Sequence, residues 1–257
     1  MGNQLATRLR AGRPSFGVSL TIPDPFVAEV LAFAPLDFLM LDSEHSPMSL
    51  YQLQTQLIAL RTSAASLLVR IPHAEPSVIM QMLDLGADGV VVPHLETAAE
   101  CAVAVDAAYY PPRGSRGVGP RRAARLAGGQ SAYFDQASDV LLIGMLETAR
   151  GVENLDEILA VPGLGGLTIG QADLSASLGH LGEPDHPDVT AALDRIMTAA
   201  REAKVPFGIF APNLARAEEL MAKGATILTV GSDLLFLERA TAQAITTVHE
   251  ARAWESR

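Results

Sequence analysis

The chain has 257 residues, 19 basic against 29 acidic side chains and a net charge of −10, with no Lys/Arg cluster to neutralise phosphates, so nucleic-acid binding is not expected. The longest apolar stretches, such as residues 140–146, fall far short of the roughly 20 needed to span a bilayer, the N-terminal MGNQLATRLRAGRPS has no signal-type apolar region, and the single Cys101 excludes an intrachain disulfide framework or a cysteine zinc cluster. Charged residues, at 19%, fall below the roughly 25% of an average soluble domain while hydrophobic residues reach 49%, which predicts a cytoplasmic homo-oligomer that binds no membrane and buries extra surface between subunits.

Apolar runs rich in Val, Ile, Leu and Phe alternate with amphipathic stretches, the pattern of βα units around a parallel sheet. In chain order the predicted strands are residues 16–21, 37–42, 67–71, 88–92, 140–146, 166–170, 206–211 and 225–230. The predicted helices are residues 25–33, 50–62, 76–85, 97–108, 151–159, 188–203, 214–222 and 234–253. Eight such units in one domain, residues 1–257, predict a TIM (β/α)8 barrel, an α/β fold. An open doubly wound sheet is the alternative, but Thr21-Ile22-Pro23-Asp24 follows the first strand in place of a glycine-rich fingerprint. Residues 110–139, dense in Gly, Pro and Arg, break the rhythm and read as a solvated loop, or as a lid or intersubunit arm beside the barrel mouth.

Active sites of such barrels gather at the C-terminal ends of the strands, and reactive side chains recur at those positions here. Glu147 ends the fifth strand and Asp173 follows the sixth; two carboxylates plus water make a hard site for Mg²⁺, Mn²⁺ or Co²⁺, although Asp173 could instead cap a helix. Arg70 closes the third strand, where its fork suits an anionic oxygen of a substrate or a salt bridge to Glu44 or Asp42. His45, one residue after Glu44 and three after Asp42, is the candidate proton carrier, and His94 is read as pocket lining. Phe210, at the end of the seventh strand, is either the wall of an outer pocket or core. Lys204 and Lys223 precede strands seven and eight, so neither is placed for a Schiff base.

The stretches FLMLDSEHSP, LLVRIP, LDLGADGVVVPHLET, YYPPRGSRGVG, LETARGVENLDEIL, IGQADLSASLGHLGEPDHP and GIFAPN cover most of the chain, which resembles the class II, metal-dependent pyruvate aldolases of the HpcH/HpaI family. The resemblance implies reversible cleavage of a 4-hydroxy-2-oxoacid to pyruvate, or hydroxypyruvate, and an aldehyde. It implies Glu147 and Asp173 as metal ligands, His45 as base, Arg70 as the residue that steadies the enolate, and the backbone N–H of Ala172 as the holder of the substrate carboxylate. Asp84 matches an acidic residue that raises the basicity of the histidine, yet it precedes the fourth strand, at the wrong end of its own barrel. Either Asp42 orients His45, or Asp84 does so across an interface. A hexamer, a trimer of dimers with C-terminal helices exchanged, is also implied. One departure is Met145, where the family usually carries a substrate-contacting glutamine; a thioether cannot donate that hydrogen bond, which implies altered keto-acid selectivity. The competing functions are a coenzyme A thioester lyase of the citrate lyase β type and a non-catalytic keto-acid-binding barrel.

Overall fold

A computed structural model describes residues 3–255, with side-chain environments over residues 3–250. Residues 1, 2, 256 and 257 of the expected 1–257 domain, and the side chains of residues 251–253 of the expected last helix, lie outside the description. The strands are β1 (Ser15–Leu20), β2 (Phe38–Asp42), β3 (Ser66–Arg70), β4 (Gly89–Val92), β5 (Leu141–Leu146), β6 (Gly166–Ile169), β7 (Phe207–Phe210) and β8 (Ile227–Ser232). All neighbours pair in parallel and β8 returns to β1, closing the barrel that the alternation predicts. The helices are α1 (Gln4–Arg10), α2 (Pro25–Ala32), α3 (Leu50–Ala59), α4 (Pro76–Asp84), α5 (Ala98–Ala108), α6 (Arg121–Leu126), α7 (Gln130–Gln136), α8 (Ala149–Glu153), α9 (Leu155–Leu159), α10 (Gln171–Ser177), α11 (Pro187–Glu202), α12 (Leu214–Ala222) and α13 (Asp233–Glu255). No helix among the described residues is long and apolar enough to cross a membrane.

Two apolar layers explain why chemistry is confined to one end. Outside the strands, Leu39, Leu41, Val69, Val90, Leu142 and Leu167 pack against the helices. Inside, Phe38, Leu68, Val91, Ile143 and Ile227 fill the lower barrel, and Leu5 and Leu9 of α1 close its floor. Gly17 is the complement of Phe38, since a Cβ there would run into the ring. Asn3 caps α1 by accepting from the Ala6 N–H, and its amide donates to the carbonyls of Asp88 and Asp139, which ties the plug to the strand entries. The polar groups at the floor, Ser66 and Asn3, are spent on each other and on the Leu5 N–H, which leaves the strand C-termini as the end with polar side chains facing an open cavity.

The structure departs from the sequence expectations in four places. Helix α1 was not expected, because its apolar residues are few and face inward. Residues 110–139 are neither a bare loop nor a lid at the mouth of their own barrel: they form α6 and α7, and α6 packs on α4 at the lower end, where Arg122 donates to the carbonyls of Leu85 and Leu57. The expected helix at residues 151–159 is two short helices meeting at Asn154. After β6 comes an additional short helix, α10, which starts at Gln171 with Gly170 as its N-cap, so Asp173 lies in its first turn and does not cap it.

Among the described residues, helix α13 is anchored at its N-terminal end. Asp233 accepts from the Thr21 and Ile22 N–H groups and from the Thr21 hydroxyl, sewing β8 to the segment after β1. Beyond it, residues 238–250 are exposed, including Ile245 and Val248.

Candidate active site

A cavity of about 670 Å³ opens at the C-terminal ends of the strands, lined by Arg70, Met145, Glu147, Ala172, Asp173 and Phe210 together with Ser19, Met40, Thr168 and Thr229. Six of the residues singled out from the sequence thus share one wall system, although their strands are spread from β3 to β7.

Arg70 ends β3 beside Asp42, which ends β2 in register with it. The guanidinium donates twice to the Asp42 carboxylate, Nε to Oδ1 at 2.9 Å and Nη2 to Oδ2 at 2.6 Å, and Nε also lies 3.3 Å from Glu44 Oε2. Burial alone would raise the Asp42 pKa, but the Arg70 hydrogen bonds and charge outweigh it and hold the carboxyl below its usual range. Burial would likewise lower the Arg70 pKa, and Asp42 and Glu44 raise it. Asp42 Oδ1 further accepts from the backbone N–H groups of Glu44 and His45. Asp42 therefore orients Arg70 and fixes the backbone of the His45 turn; its carboxylate makes no hydrogen bond to the imidazole. Arg70 Nη1 faces the cavity, 3.9 Å from Met145 Sδ.

Glu147 follows β5 and is buried, with 3% of its surface exposed. Burial pushes its pKa up, the Glu44 and Asp173 carboxylates push it further, and the His94 N–H and ring pull it back. The His94 N–H donates to Oε1 at 2.7 Å, from a left-handed backbone at φ 49°, a conformation uncommon for a non-glycine residue. Gly170, at the end of β6, leaves the room for Glu147 that a Cβ would occupy. Glu44, also partly buried, has a pKa raised chiefly by desolvation. One donor atom from each of Glu44, His94 and Glu147 lies within 4.8 Å of the other two. Glu44 was weighed from the sequence only as a partner for Arg70 or His45, because a residue two positions beyond a strand can face either way; the order β2, β3, β4, β5 around the barrel, which brings the turns after β2, β4 and β5 to one mouth, decides it.

His45 stands at the rim, its side chain 61% exposed and its Nε2 3.8 Å from Glu44 Oε2. Ala172 and Asp173 occupy the first turn of α10. Phe210 closes β7 half-exposed on the cavity wall, which removes the core alternative. Asp84 is not brought to the site within one chain: it ends α4 at the opposite end of the barrel, where it pairs with Arg116 at 2.6 Å. Lys204 and Lys223 likewise lie in the turns before β7 and β8.

The profile described as HpcH/HpaI aldolase/citrate lyase matches residues 17–240. A 5-keto-4-deoxy-D-glucarate aldolase of Salmonella newport is 40% identical over 233 residues, 90% of this chain and 91% of the relative, and one of Shigella dysenteriae is 38% identical over 240 residues, 93% and 94% of the two chains. Among solved structures, an HpcH/HpaI aldolase/citrate lyase family protein from Burkholderia cenocepacia superposes with a TM-score of 0.90 at 38% identity, covering 96% of this chain and 99% of the other.

Proposed function

The chain belongs to the HpcH/HpaI aldolase/citrate lyase family, a family of carbon–carbon lyases, and from that premise we propose that it is a class II aldolase that reversibly cleaves 4-hydroxy-2-oxoacids to pyruvate, or hydroxypyruvate, and an aldehyde. The observation that carries the reading is the grouping of a buried carboxylate, Glu147, with Asp173 and a guanidinium edge in one cavity.

The donor set fits a hard divalent cation. Glu147 is a desolvated carboxylate whose other neighbours include Glu44 and Asp173, and a cation on this oxygen-rich wall offsets that repulsion. Glu147 and Asp173 are the residues that hold it; Mg²⁺, Mn²⁺ or Co²⁺ supplies Lewis acidity towards the 2-oxoacid, worth several kcal/mol.

The chain's own groups do the rest. Arg70, locked by Asp42, presents Nη1 where negative charge develops on the keto oxygen, so no reorganisation is needed at the moment of reaction. The Ala172 N–H, in the first turn of α10, receives the substrate carboxylate. His45 takes the C4-hydroxyl proton in cleavage and returns it in synthesis. Asp84 acts on His45 only from a neighbouring subunit, which fits a hexamer built as a trimer of dimers with α13 exchanged. Phe210 borders the aldehyde, and Met145 tunes the choice of 2-oxoacid. The keto deoxy sugar acid in the relatives' name lies within this substrate class. The chain acts as one domain, residues 1–257, in the cytoplasm.

Metal-stripped protein given pyruvate or hydroxypyruvate and a short hydroxyaldehyde is expected to form product only after Mg²⁺, Mn²⁺ or Co²⁺ is restored. Product without metal, or keto-acid binding without turnover under all three ions, overturns the reading. In the same assay His45→Ala is expected to lose roughly 10² to 10⁴ in rate with metal binding retained.

A further inference from the structure

Between α10 and α11 runs Gly179-His180-Leu181-Gly182-Glu183-Pro184-Asp185-His186, in which two histidines flank a glutamate at intervals of three. The fold closes this segment on itself. The His180 N–H donates to the Ser175 carbonyl, the Glu183 N–H to the His180 carbonyl, the His186 N–H to the Glu183 carbonyl, and the Gln171 side chain to the Pro184 carbonyl. Gly179 and Gly182 supply the left-handed turns, at φ 88° and 83°. The two imidazoles stack with centroids 3.4 Å apart and planes 16° from parallel, both half-buried. One donor atom from each of His180, Glu183 and His186 lies within 4.8 Å of the other two. Asp188 stands beside both rings, its Oδ2 3.0 Å from His180 Nε2 and 3.7 Å from His186 Nδ1, the kind of carboxylate that orients ligating imidazoles.

We propose that His180, Glu183 and His186 form a second cation site, distinct from the oxygen-rich cavity and selective for a nitrogen-preferring divalent ion of the Zn²⁺ or Ni²⁺ type. Two facts point this way. Imidazole donors suit Zn²⁺, Ni²⁺ and Cu²⁺, and this cluster offers two imidazoles to one carboxylate, whereas the cavity offers one, His94, among the carboxylates of Glu44, Glu147 and Asp173, a set weighted towards Mg²⁺ and Mn²⁺; the two sites therefore differ in ligand chemistry. The backbone bonds above also hold the main chain of the three ligand-bearing residues in place before any ion arrives, which lowers the ordering cost of binding. The consequence is mechanical: Leu181, Gly182 and Pro184 of the same segment line the mouth of the cavity, so an ion here pins the rim without touching the reacting atoms.

The test is calorimetric titration of the untagged full-length chain with Zn²⁺ in the presence of excess Mg²⁺. One equivalent of Zn²⁺ per chain is expected for the natural sequence and for Glu147→Gln/Asp173→Asn, and none for His180→Gln/His186→Asn. Asparagine at 186 keeps a helix-capping side chain for α11, and unchanged circular dichroism confirms that this variant is folded. Asp188→Asn is expected to weaken Zn²⁺ about 10- to 100-fold without abolishing it. Equal Zn²⁺ uptake by the natural sequence and the double-histidine variant, or none by the natural sequence, overturns the site. Loss of uptake in Glu147→Gln/Asp173→Asn also overturns it, because Zn²⁺ would then be reporting the first cavity.

Discussion

Two arginine–aspartate pairs mark the two ends of this barrel. At the mouth Arg70 grips Asp42 through Nε and Nη2 and leaves Nη1 towards the cavity. At the lower end the Arg116 side chain is fully buried; its Nη2 donates to Asp84 and to the Tyr133 hydroxyl, its guanidinium lies over the Tyr110 ring at 4.7 Å, and Nε and Nη1 find no acceptor among the described residues. The chemistry of each pair is the same, and the difference is where the remaining donor edge points. An edge facing a cavity is available to a substrate. An edge facing aromatic rings fastens residues 110–139 to α4, and such a pair contributes mainly by not being left broken.

That contrast has a direct test. Arg70→Lys keeps a charge beside Asp42 but cannot hold it twice and still present a donor to the cavity, so kcat/KM is expected to fall about 10² to 10³-fold while the thermal midpoint moves little. Arg116→Met removes the partner of Asp84 and the lid over Tyr110, and is expected to cost about 3–5 kcal/mol in denaturant unfolding while affinity for Mn²⁺ stays unchanged. If the Arg70 variant lost stability and the Arg116 variant lost metal, the division between the two ends would be wrong.

A smaller effect separates the ends by pH. Asp88, at the entry to β4, has its pKa pushed up to about 6 by burial, with the Leu67 N–H bond to its Oδ2 pulling the other way. A carboxyl whose folded pKa is raised adds stability in acid that is lost as pH rises from about 4 through 6. Asp88→Asn keeps an acceptor for Leu67 and removes the charge, so it is expected to gain about 1–3 kcal/mol at neutral pH and to flatten that slope. Asp42 behaves oppositely: its lowered pKa adds stability above the ordinary carboxylate range that is lost as pH falls through the folded value. Urea midpoints measured from pH 2 to 8 check both signs, Asp42 below pH 4 and Asp88 above it, and a slope in Asp88→Asn as steep as in the natural sequence would remove Asp88 from the account.

The barrel was legible because most strands are short, nearly continuous apolar runs separated by amphipathic stretches, and the mouth was legible because Arg70, Glu147 and Asp173 each stand at or just beyond the end of such a run. What stayed hidden depends on pairing between distant strands. That Asp42 holds Arg70 and not the His45 ring follows from the register of β2 on β3, which the sequence does not state. The residues of α1, with three apolar residues facing the floor, and the α6 and α7 segment, with arginines that read as solvated, earn their helical form from tertiary contacts and not from periodicity. His180 and His186 carry no signal in the sequence because what brings their rings together is the pair of left-handed turns at Gly179 and Gly182.

The smallest expected change tests how the mouth reads its substrate. Met145 is buried on β5 beside Thr168, and its sulfur is the only contact that Arg70 Nη1 makes among the described side chains at hydrogen-bonding range. A thioether is a weak acceptor and no donor, so the guanidinium edge stays available to an incoming oxygen. Met145→Gln places an amide at nearly the same volume, with a carbonyl that competes for Nη1 and an NH₂ that can donate to a polar group on the 2-oxoacid. The ratio of kcat/KM for hydroxypyruvate over pyruvate is expected to shift by about 2- to 10-fold, the range of one net hydrogen bond of roughly 0.5–1.5 kcal/mol, with metal affinity and thermal midpoint near those of the natural sequence. An unchanged ratio would mean that position 145 faces the guanidinium alone, and that discrimination between 2-oxoacids lies with the hydroxyl-bearing residues of the cavity, Ser19, Thr168, Ser175 and Thr229.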